Sequence, residues 1–163
     1  MLFRSTVEAI VEMACERLPK KFGYHPLRDV QVLTPMNQGP LGTHALNTAL
    51  QQRLNPNGPH LESRDRRFRK NDKVMQLRNN YDKSVFNGDI GRIASIDVEE
   101  EELQVDFDGE FVLYSADELE QLALAYAISV HKSQGSEFKA VVLALSKSHW
   151  EMLQRNLLYT GIT

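Results

Sequence analysis

The sequence predicts an α/β domain built on a parallel sheet and interrupted by a small β-barrel. Three observations carry this expectation. Residues 1–60 alternate helical, extended and helical patterns, an order that favours parallel strands joined by crossovers. Residues 67–118 drop to short, period-two runs with turn signals between them and no helical pattern. The α/β alternation then resumes over 119–163. The chain of 163 residues is long enough for one ordinary domain with an insert, and for a sizeable core.

The first helix is expected from "STVEAIVEMACERL", where Ser5 and Glu8 have capping-box spacing and Val7, Ile10, Val11, Ala14 and Leu18 recur at helical intervals. Pro19 is expected to end it. "FGYHPLRD" reads as a turn-rich connector, and "VQVLTP" as a buried strand closed by Pro35. "GPLG" opens onto "THALNTALQQRL", whose Leu46, Ala49, Leu50 and Leu54 share one helical face, and "NPNGPH" terminates this helix.

The character then changes. "RDRRFRKNDKV" is strongly basic, "KVMQL" is strand-like, and "NNYDKSVFNGD" is a long polar loop. "IGRIASI", the acidic turn "DVEEEE" and "LQVDFDGEFVLY" follow, with Asp108-Gly109 as a hairpin signal, and "SADELEQL" closes the unit. Asn87-Gly88 reads as a tight reversal and Gly91 as a bulge or close approach. Four or five short strands in about fifty residues match a barrel of SH3-like or OB-like size. Beyond it, "LALAYA" reads as a strand, "ISVHKSQG" as one or two helical turns stopped by Gly135, and "AVVLAL" as a buried strand. "SHWEMLQRNLLYTGIT" reads as a last helix, with Trp150, Leu153, Leu157 and Leu158 on its apolar side. Nothing in that stretch resembles a helix stop, so the chain reads as cut.

Composition excludes several classes. A net charge of −3 argues against wrapping nucleic acid by bulk charge and leaves only local patches. The lone Cys15 rules out a disulfide framework or a cysteine metal site, and suits a small buried side chain. Glu and Arg interrupt every apolar run near the N-terminus, so a signal peptide or membrane span is not expected there. The expected setting is soluble and cytoplasmic.

Two polar blocks carry chemistry. In "SVHKSQGSEF", a strand feeding a turn would present side chains at the carboxyl edge of a parallel sheet, where open α/β folds bind ligands. His131 and Lys132 are donors suited to phosphates, Gln134 can bridge base, sugar or phosphate, and Gly135 lets backbone approach closely. Glu137 is an acceptor suited to a ribose hydroxyl. The same residues also suit a helix end with a solvated polar tip, and the chemistry alone leaves both readings open. In "TPMNQGPLGTHALN", a glycine-containing loop after a strand runs into a helix N-terminus, a ready anion site, with Thr34, Asn37 and Gln38 supplying polar reach. Gly39 and Gly42 serve equally well as turn formers. In the barrel, Arg64, Arg66, Arg67, Arg69, Lys70, Lys73 and Arg78 could track a phosphate backbone, with Tyr81 or Phe86 placed for stacking. A solvated basic linker and core aromatics account for the same residues. The acidic run at 99–102 would repel nucleic acid, so any such face lies away from it.

Four blocks, "VLTPMNQGPLGTHALN", "FRKNDKVMQLRNNYDKSVFNGDIGRI", "AYAISVHKSQGSEF" and "LLYTGIT", fall in the order seen in RecD-type superfamily 1 DNA helicases. The resemblance covers nearly the whole chain. "HKSQGSEF" resembles this branch more than the Pif1-like helicases, whose comparable block reads "HKSQGQT". The resemblance implies a second RecA-like motor domain with an inserted SH3-like barrel: motor residues 1–66 and 119–163, barrel 67–118. It implies that "TPMNQGPLG" is similar to helicase motif IV, with Gln38 at the nucleotide cleft and Thr34, Pro35 and Met36 towards DNA. Relatives often carry a basic residue where this chain has Asn37-Gln38. "SVHKSQGSE" resembles motif V, with Ser129, His131 and Lys132 facing the DNA strand, while Gln134, Gly135 and Glu137 couple it to the nucleotide. Arg67, Arg69 and Lys70 would be the barrel's DNA contacts.

The implied function is the C-terminal motor part of an ATP-dependent, 5′-to-3′ DNA helicase serving recombination and repair, of the kind found as the exodeoxyribonuclease V alpha subunit. ATP and Mg2+ are its implied cofactors. Its implied partners are single-stranded DNA, the N-terminal motor domain of the same protein and, in the RecBCD-like branch, nuclease-complex subunits. "LLYTGIT" resembles the front of motif VI, usually continued by an arginine that acts on the γ-phosphate. No G-x-x-x-x-G-K-[ST] phosphate loop occurs in the sequence and no acidic strand suited to magnesium stands out. This chain by itself is therefore expected to bind no cofactor and to hydrolyse no ATP. A reading from another class is a non-catalytic nucleic-acid- or protein-binding module centred on the barrel.

Overall fold

A computed structural model describes residues 2–145 of the chain. The last helix expected from "SHWEMLQRNLLYTGIT", including the motif VI resemblance, lies outside the described residues. The chain divides into two compact units, one formed by 1–54 and 126–163 and the other by Asn55–Ala125.

Helix α1 (Leu2–Glu12) starts at Leu2, so Ser5 lies inside it rather than ahead of it. Leu2 and Arg4 are good helix formers and extend the pattern towards the N-terminus. Pro19 does not end the helix. A π-turn over Met13–Arg17 carries the chain into helix α2 (Leu18–Phe22), with the Leu18 N–H donating to Met13 O, five residues back. The wider turn shifts the preceding carbonyls off the proline ring, and Pro19 then occupies the first turn of α2, where its missing N–H costs nothing. Gly23 is the real stop, with φ of 70° and its N–H bonded to Pro19 O at 2.9 Å.

Ten strands follow among the described residues: β1 (Val30–Thr34), β2 (His60–Ser63), β3 (Arg66–Arg69), β4 (Lys73–Gln76) and β5 (Ile90–Asp97), then β6 (Glu102–Phe107), β7 (Glu110–Tyr114), β8 (Leu122–Leu124), β9 (Ala127–Ser129) and β10 (Ala140–Leu143). Helix α3 (Thr43–Leu54) lies between β1 and β2 in the chain.

In the first unit β1 is the middle strand, paired in parallel with β9 on one side and β10 on the other, the parallel sheet expected of the α/β order. All five β1 residues are buried, as a strand covered on both faces requires. At its amino end, buried Asp29 accepts the His25 N–H at 2.8 Å and meets Arg28 and Lys139 at 3.3 Å each. The His25 N–H, followed by the two cations, holds its carboxyl down at about 2. Helix α3 buries Leu46 and Leu50 as its spacing predicts, but also the polar Asn47 and Gln51. Asn47 makes a two-way bond with the backbone of β9: its Nδ2 donates to Ala127 O and its Oδ1 accepts the Ala127 N–H, both at 2.8 Å. It thereby satisfies strand groups at the sheet edge that no neighbouring strand takes among the described residues. β10 is half-exposed rather than buried, with Val141 on the surface, because among the described residues it is the other edge of the sheet.

The second unit is an antiparallel five-stranded sheet in the order β7-β6-β5-β4-β8, with the β2–β3 hairpin as a separate ribbon. Strands β6 and β7 alternate, burying Leu103, Val105, Val112 and Tyr114. Asp108 (φ 54°) and Gly109 (φ 97°) both take the left-handed conformation that a two-residue hairpin turn needs. The unit is wider than the 67–118 expected. Leu61 and Phe68 of the hairpin and Leu122 of β8 belong to the same apolar cluster as Val74 and Ile93. The run "LALAYA" is therefore two strands: Leu122–Leu124 pairs antiparallel with β4, and Ala127–Ser129 joins β1. Lys73 heads β4 as a buried residue, not a surface cation, and burial lowers its ammonium to about 8.

Gly91 marks where β5 and β6 press together: a Cβ there would stand 2.6 Å from Val105 Cγ1 and 2.7 Å from Asp106 O. Replacing Gly91 by Ala should therefore lower the barrel's stability by about 1–3 kcal/mol. Amide exchange over β5 and β6 reads this directly, and unchanged protection would contradict it. Replacing Asn47 by Ala leaves two buried backbone groups of Ala127 without partners, a loss of about 1–3 kcal/mol. Asn47→Asp should not restore it, because a carboxylate cannot donate to Ala127 O; a denaturant melt in which Asp behaves as Asn would refute the paired-bond account.

Candidate functional site

The two chemistry-bearing blocks leave the same edge of the sheet. Thr34 and Ser129 are register partners at the carboxyl ends of β1 and β9, and the next residue, Val130, donates its N–H to Thr34 O at 3.0 Å. The loops 35–42 and 130–137 therefore start side by side although the chain runs through the whole barrel between them. This is the position at which an open parallel sheet offers ligands a crevice.

The first loop is held from within. Thr34 is fully buried and its Oγ1 donates to Leu41 O at 2.6 Å, while accepting the Met36 N–H at 3.4 Å. Pro35 is buried and Met36 half-buried. Thr34 and Pro35 therefore shape the loop from below, and the surface is left to Met36, Asn37 and Gln38. The loop closes on Met36 O, which accepts the Thr43 N–H at 3.0 Å, and Thr43 Oγ1 donates to Asn37 Oδ1 at 3.3 Å. Gly42 is required by contact: a Cβ would lie 2.6 Å from Gln38 O and 2.7 Å from Asn37 O. With the chain packed this tightly, Gln38 is carried on the exposed rim ahead of α3.

The second loop forms consecutive turns, not the one or two helical turns expected from "ISVHKSQG". Side chains compete with helical bonding here. Ser129 Oγ accepts the Lys132 N–H at 3.2 Å, and Ser133 Oγ donates to Val130 O at 2.6 Å. Ser129 and Ser133 are buried by these roles, whereas His131, Gln134, Gly135 and Glu137 are exposed and Lys132 is half-buried. Gly135 (φ 81°) makes the reversal that a residue with a Cβ would strain. Residues 136–139 then return along the sheet to start β10 at Ala140, opposite Val30, so Glu137 lies on the return path, two residues past the reversal.

Position on the sheet thus brings Met36, Asn37 and Gln38 to the same edge as His131, Lys132 and Gln134, and withdraws Thr34, Pro35 and Ser129 into support. Leu41 and Ser133, which the sequence did not single out, fix the two loops. A serine two residues past His131 is a weak but readable signal for such a turn. Among the described residues no group of three His, Cys, Asp or Glu is placed to hold a metal ion, and no helix is long and apolar enough to cross a membrane.

Three arginines of the barrel's basic run meet carboxylates and a fourth bonds a backbone carbonyl. Arg67 Nε bonds Glu62 at 2.9 Å, Arg64 and Arg78 meet Glu120 at 3.1 and 3.3 Å, and Arg66 donates to Leu122 O at 2.6 Å. Arg69 is half-buried with its Nε enclosed and unbonded, and Lys70 is exposed.

Comparison with known proteins agrees with this architecture. Residues 46–107 match the family described as the ATP-dependent RecD-like DNA helicase SH3 domain, and residues 124–163 the UvrD-like helicase C-terminal domain. The ATP-dependent RecD2 DNA helicase of Deinococcus radiodurans is 43% identical over 134 residues, covering 82% of this chain and 18% of that protein. The RecBCD enzyme subunit RecD of Buchnera aphidicola is 29% identical over 143 residues, covering 82% of this chain and 23% of that subunit. The chain thus spans about a fifth of the length of the curated relatives it matches. In fold it is similar to the Pif1 helicase from Bacteroides in complex with ADP-AlF3 and ssDNA, with a TM-score of 0.63 at 15% identity over 98% of this chain and 46% of that one. A second structure, described as the structural basis for DNA unwinding at forked dsDNA by two coordinating Pif1 helicases, gives a TM-score of 0.53 at 16% identity over 98% of this chain and 43% of that one. A parallel sheet whose chain is interrupted in sequence by a barrel, two loops at one carboxyl edge and this kinship in sequence have a single account: the chain belongs to the RecD-like DNA helicase family.

Proposed function

We propose that this chain is the second motor domain of an ATP-dependent DNA helicase, 5′-to-3′ in direction, and that the carboxyl edge of its sheet links grip on single-stranded DNA to the state of a nucleotide. The observation that carries this reading is the register of Thr34 with Ser129, which sets two polar loops from distant parts of the chain side by side. Met36, His131 and Lys132 are the surface groups suited to a DNA strand, with Thr34, Pro35 and Ser129 positioning them from beneath. Gln38, Gln134 and Glu137 are exposed polar groups suited to line one side of a nucleotide cleft, and Gly135 supplies the reversal between the two roles.

ATP supplies the free energy of the cycle, and the residues here fit only one wall of its site. The sequence contains no phosphate loop, so the phosphates and their magnesium belong to the N-terminal motor domain of the same protein. Catalysis of phosphoryl transfer is nearly all positioning and charge stabilisation. A wall that lacks the phosphate loop can sense the nucleotide but cannot drive its hydrolysis. In this reading the protein works in the cytoplasm in DNA recombination and repair, alone or with nuclease-complex subunits.

The test has two arms. The purified chain should show no DNA-stimulated ATP turnover; robust turnover that disappears on changing Lys132 or Glu137 would overturn the reading. In a longer protein containing the first motor domain, His131→Ala or Gln134→Ala should cut unwinding on the order of tenfold to a hundredfold while the fold is retained. Unwinding at the original rate in both variants would sink the proposal.

A further inference from the structure

We propose that Tyr81 and Phe86, on the β4–β5 loop of the barrel, form a stacking platform for the unpaired bases of a nucleic-acid strand. The proposal rests on the reading of the chain as a DNA-gripping domain and adds to it a second contact, separate from the carboxyl edge and different in chemistry.

Large aromatics are ordinarily withdrawn from water, yet Tyr81 is 76% exposed and Phe86 44%. They meet edge to face, with ring centroids 5.9 Å apart and planes 71° apart. In that geometry each ring covers only the edge or one face of the other, and a broad aromatic face stays open to solvent. The pair is not left outside by a loose loop. Asn80 and Val85 exchange backbone bonds at 2.7 and 3.1 Å, Asn87 N–H donates to Asn79 Oδ1 at 2.9 Å, and Phe86 N–H donates to Asp89 Oδ2 at 2.8 Å. Val85, between the two aromatics in sequence, is buried in the barrel core and anchors the loop. Lys83 ties the loop down as well, its Nζ donating to Glu118 at 2.6 Å and to Leu113 O. Beneath, Asn80 Nδ2 and Gln76 Nε2 both donate to Gln121 Oε1 at 3.1 Å, and Tyr114 OH donates to Gln76 Oε1 at 2.8 Å. The loop is built so that its two rings stay outward.

The chemistry around the rings selects the occupant. Asp82 is exposed beside Tyr81, Lys83 is engaged, and Arg78 pairs with Glu120, so the loop has little charge to offer phosphates. It offers ring faces, which take any base. A partner recognised here is held by its bases, with its backbone charge met elsewhere. That distinguishes the site from the basic run at 64–70, where contact would be with phosphates.

Binding of the full chain to a labelled oligothymidine, compared with an abasic strand of equal length, tests this. The chain should prefer the strand with bases. The double variant Tyr81→Ala, Phe86→Ala should lose about tenfold or more on oligothymidine and nothing on the abasic strand. Tyr81→Trp should retain the preference. Both rings are exposed; the substitutions keep the backbone bonds of Tyr81 and Phe86 and remove the long Asn79 Nδ2 bond to Tyr81 OH, at 3.4 Å, so the variants keep the fold. Oligothymidine binding unchanged in the double variant, or an equal loss on both strands, overturns the proposal. If Lys132→Ala weakens both strands while the aromatic variant changes neither, the platform fails and the motor reading stands. A chain that binds neither strand overturns both.

Discussion

The parallel pairing of β1 with β9 is the constraint on which the candidate site depends. Gln31 and Tyr126 are 95 residues apart, yet Gln31 Nε2 donates to Tyr126 O at 3.0 Å inside the sheet, and Val32 N–H donates to the same carbonyl. Once that pairing forms, Thr34 and Ser129 are neighbours and the loops behind them share an edge. A slip of one residue would turn the alternate side chains of β9 to the opposite face and undo the match. Asn47 guards the register from the open side of β9, because its amide fits one N–H and one C=O of a single residue, Ala127. A buried polar side chain is costly unless fully bonded, and Asn47 is bonded in both directions.

What the residues announced and what they concealed divide along the range of the interaction. The Asp108-Gly109 turn, the helical face of Leu46 and Leu50, and the parallel sheet itself follow from local periodicity and turn chemistry, and these were legible. The division of "LALAYA" was not. Its apolar run is continuous, and only the competition between β4 and β1 for partners separates Leu124 from Ala127. Pro19 misled for a related reason: the π-turn ahead of it is a response of the backbone, not of any one side chain. Within the site, the residue types at the carboxyl edge were readable, but their exposure was not. Thr34 and Ser129 have hydroxyls suited to a ligand, and both point instead into the loops they stabilise. The basic run suffers the converse. Arg64 meets Glu120, 56 positions away, and Arg78 meets the same carboxylate, so a patch that looks cationic in sequence is paired in part in space. Exposed pairs of this kind contribute little to stability, but they lower the charge left over for phosphates.

The barrel has an apolar core of its own, and this shapes what it can do. Residues from Leu61 to Leu124 supply the barrel's apolar cluster, so the segment between α3 and β9 is a folded unit rather than a long loop. A structureless connection of that length would add to the entropy of closing β1 onto β9, though only slowly with length. A unit with its own core removes most of that cost, since the chain between its ends is already ordered. The perturbing groups then act on different partners: Gly91 presses on Val105, Asp106 and Phe107, and Asn47 binds Ala127. With no partner in common, changes at the two positions should add rather than couple. A core of its own leaves the barrel able to carry exposed aromatics on the β4–β5 loop. A surface that exposes Tyr81 and Phe86 is tolerable in a barrel already closed by Phe68, Ile93 and Tyr114.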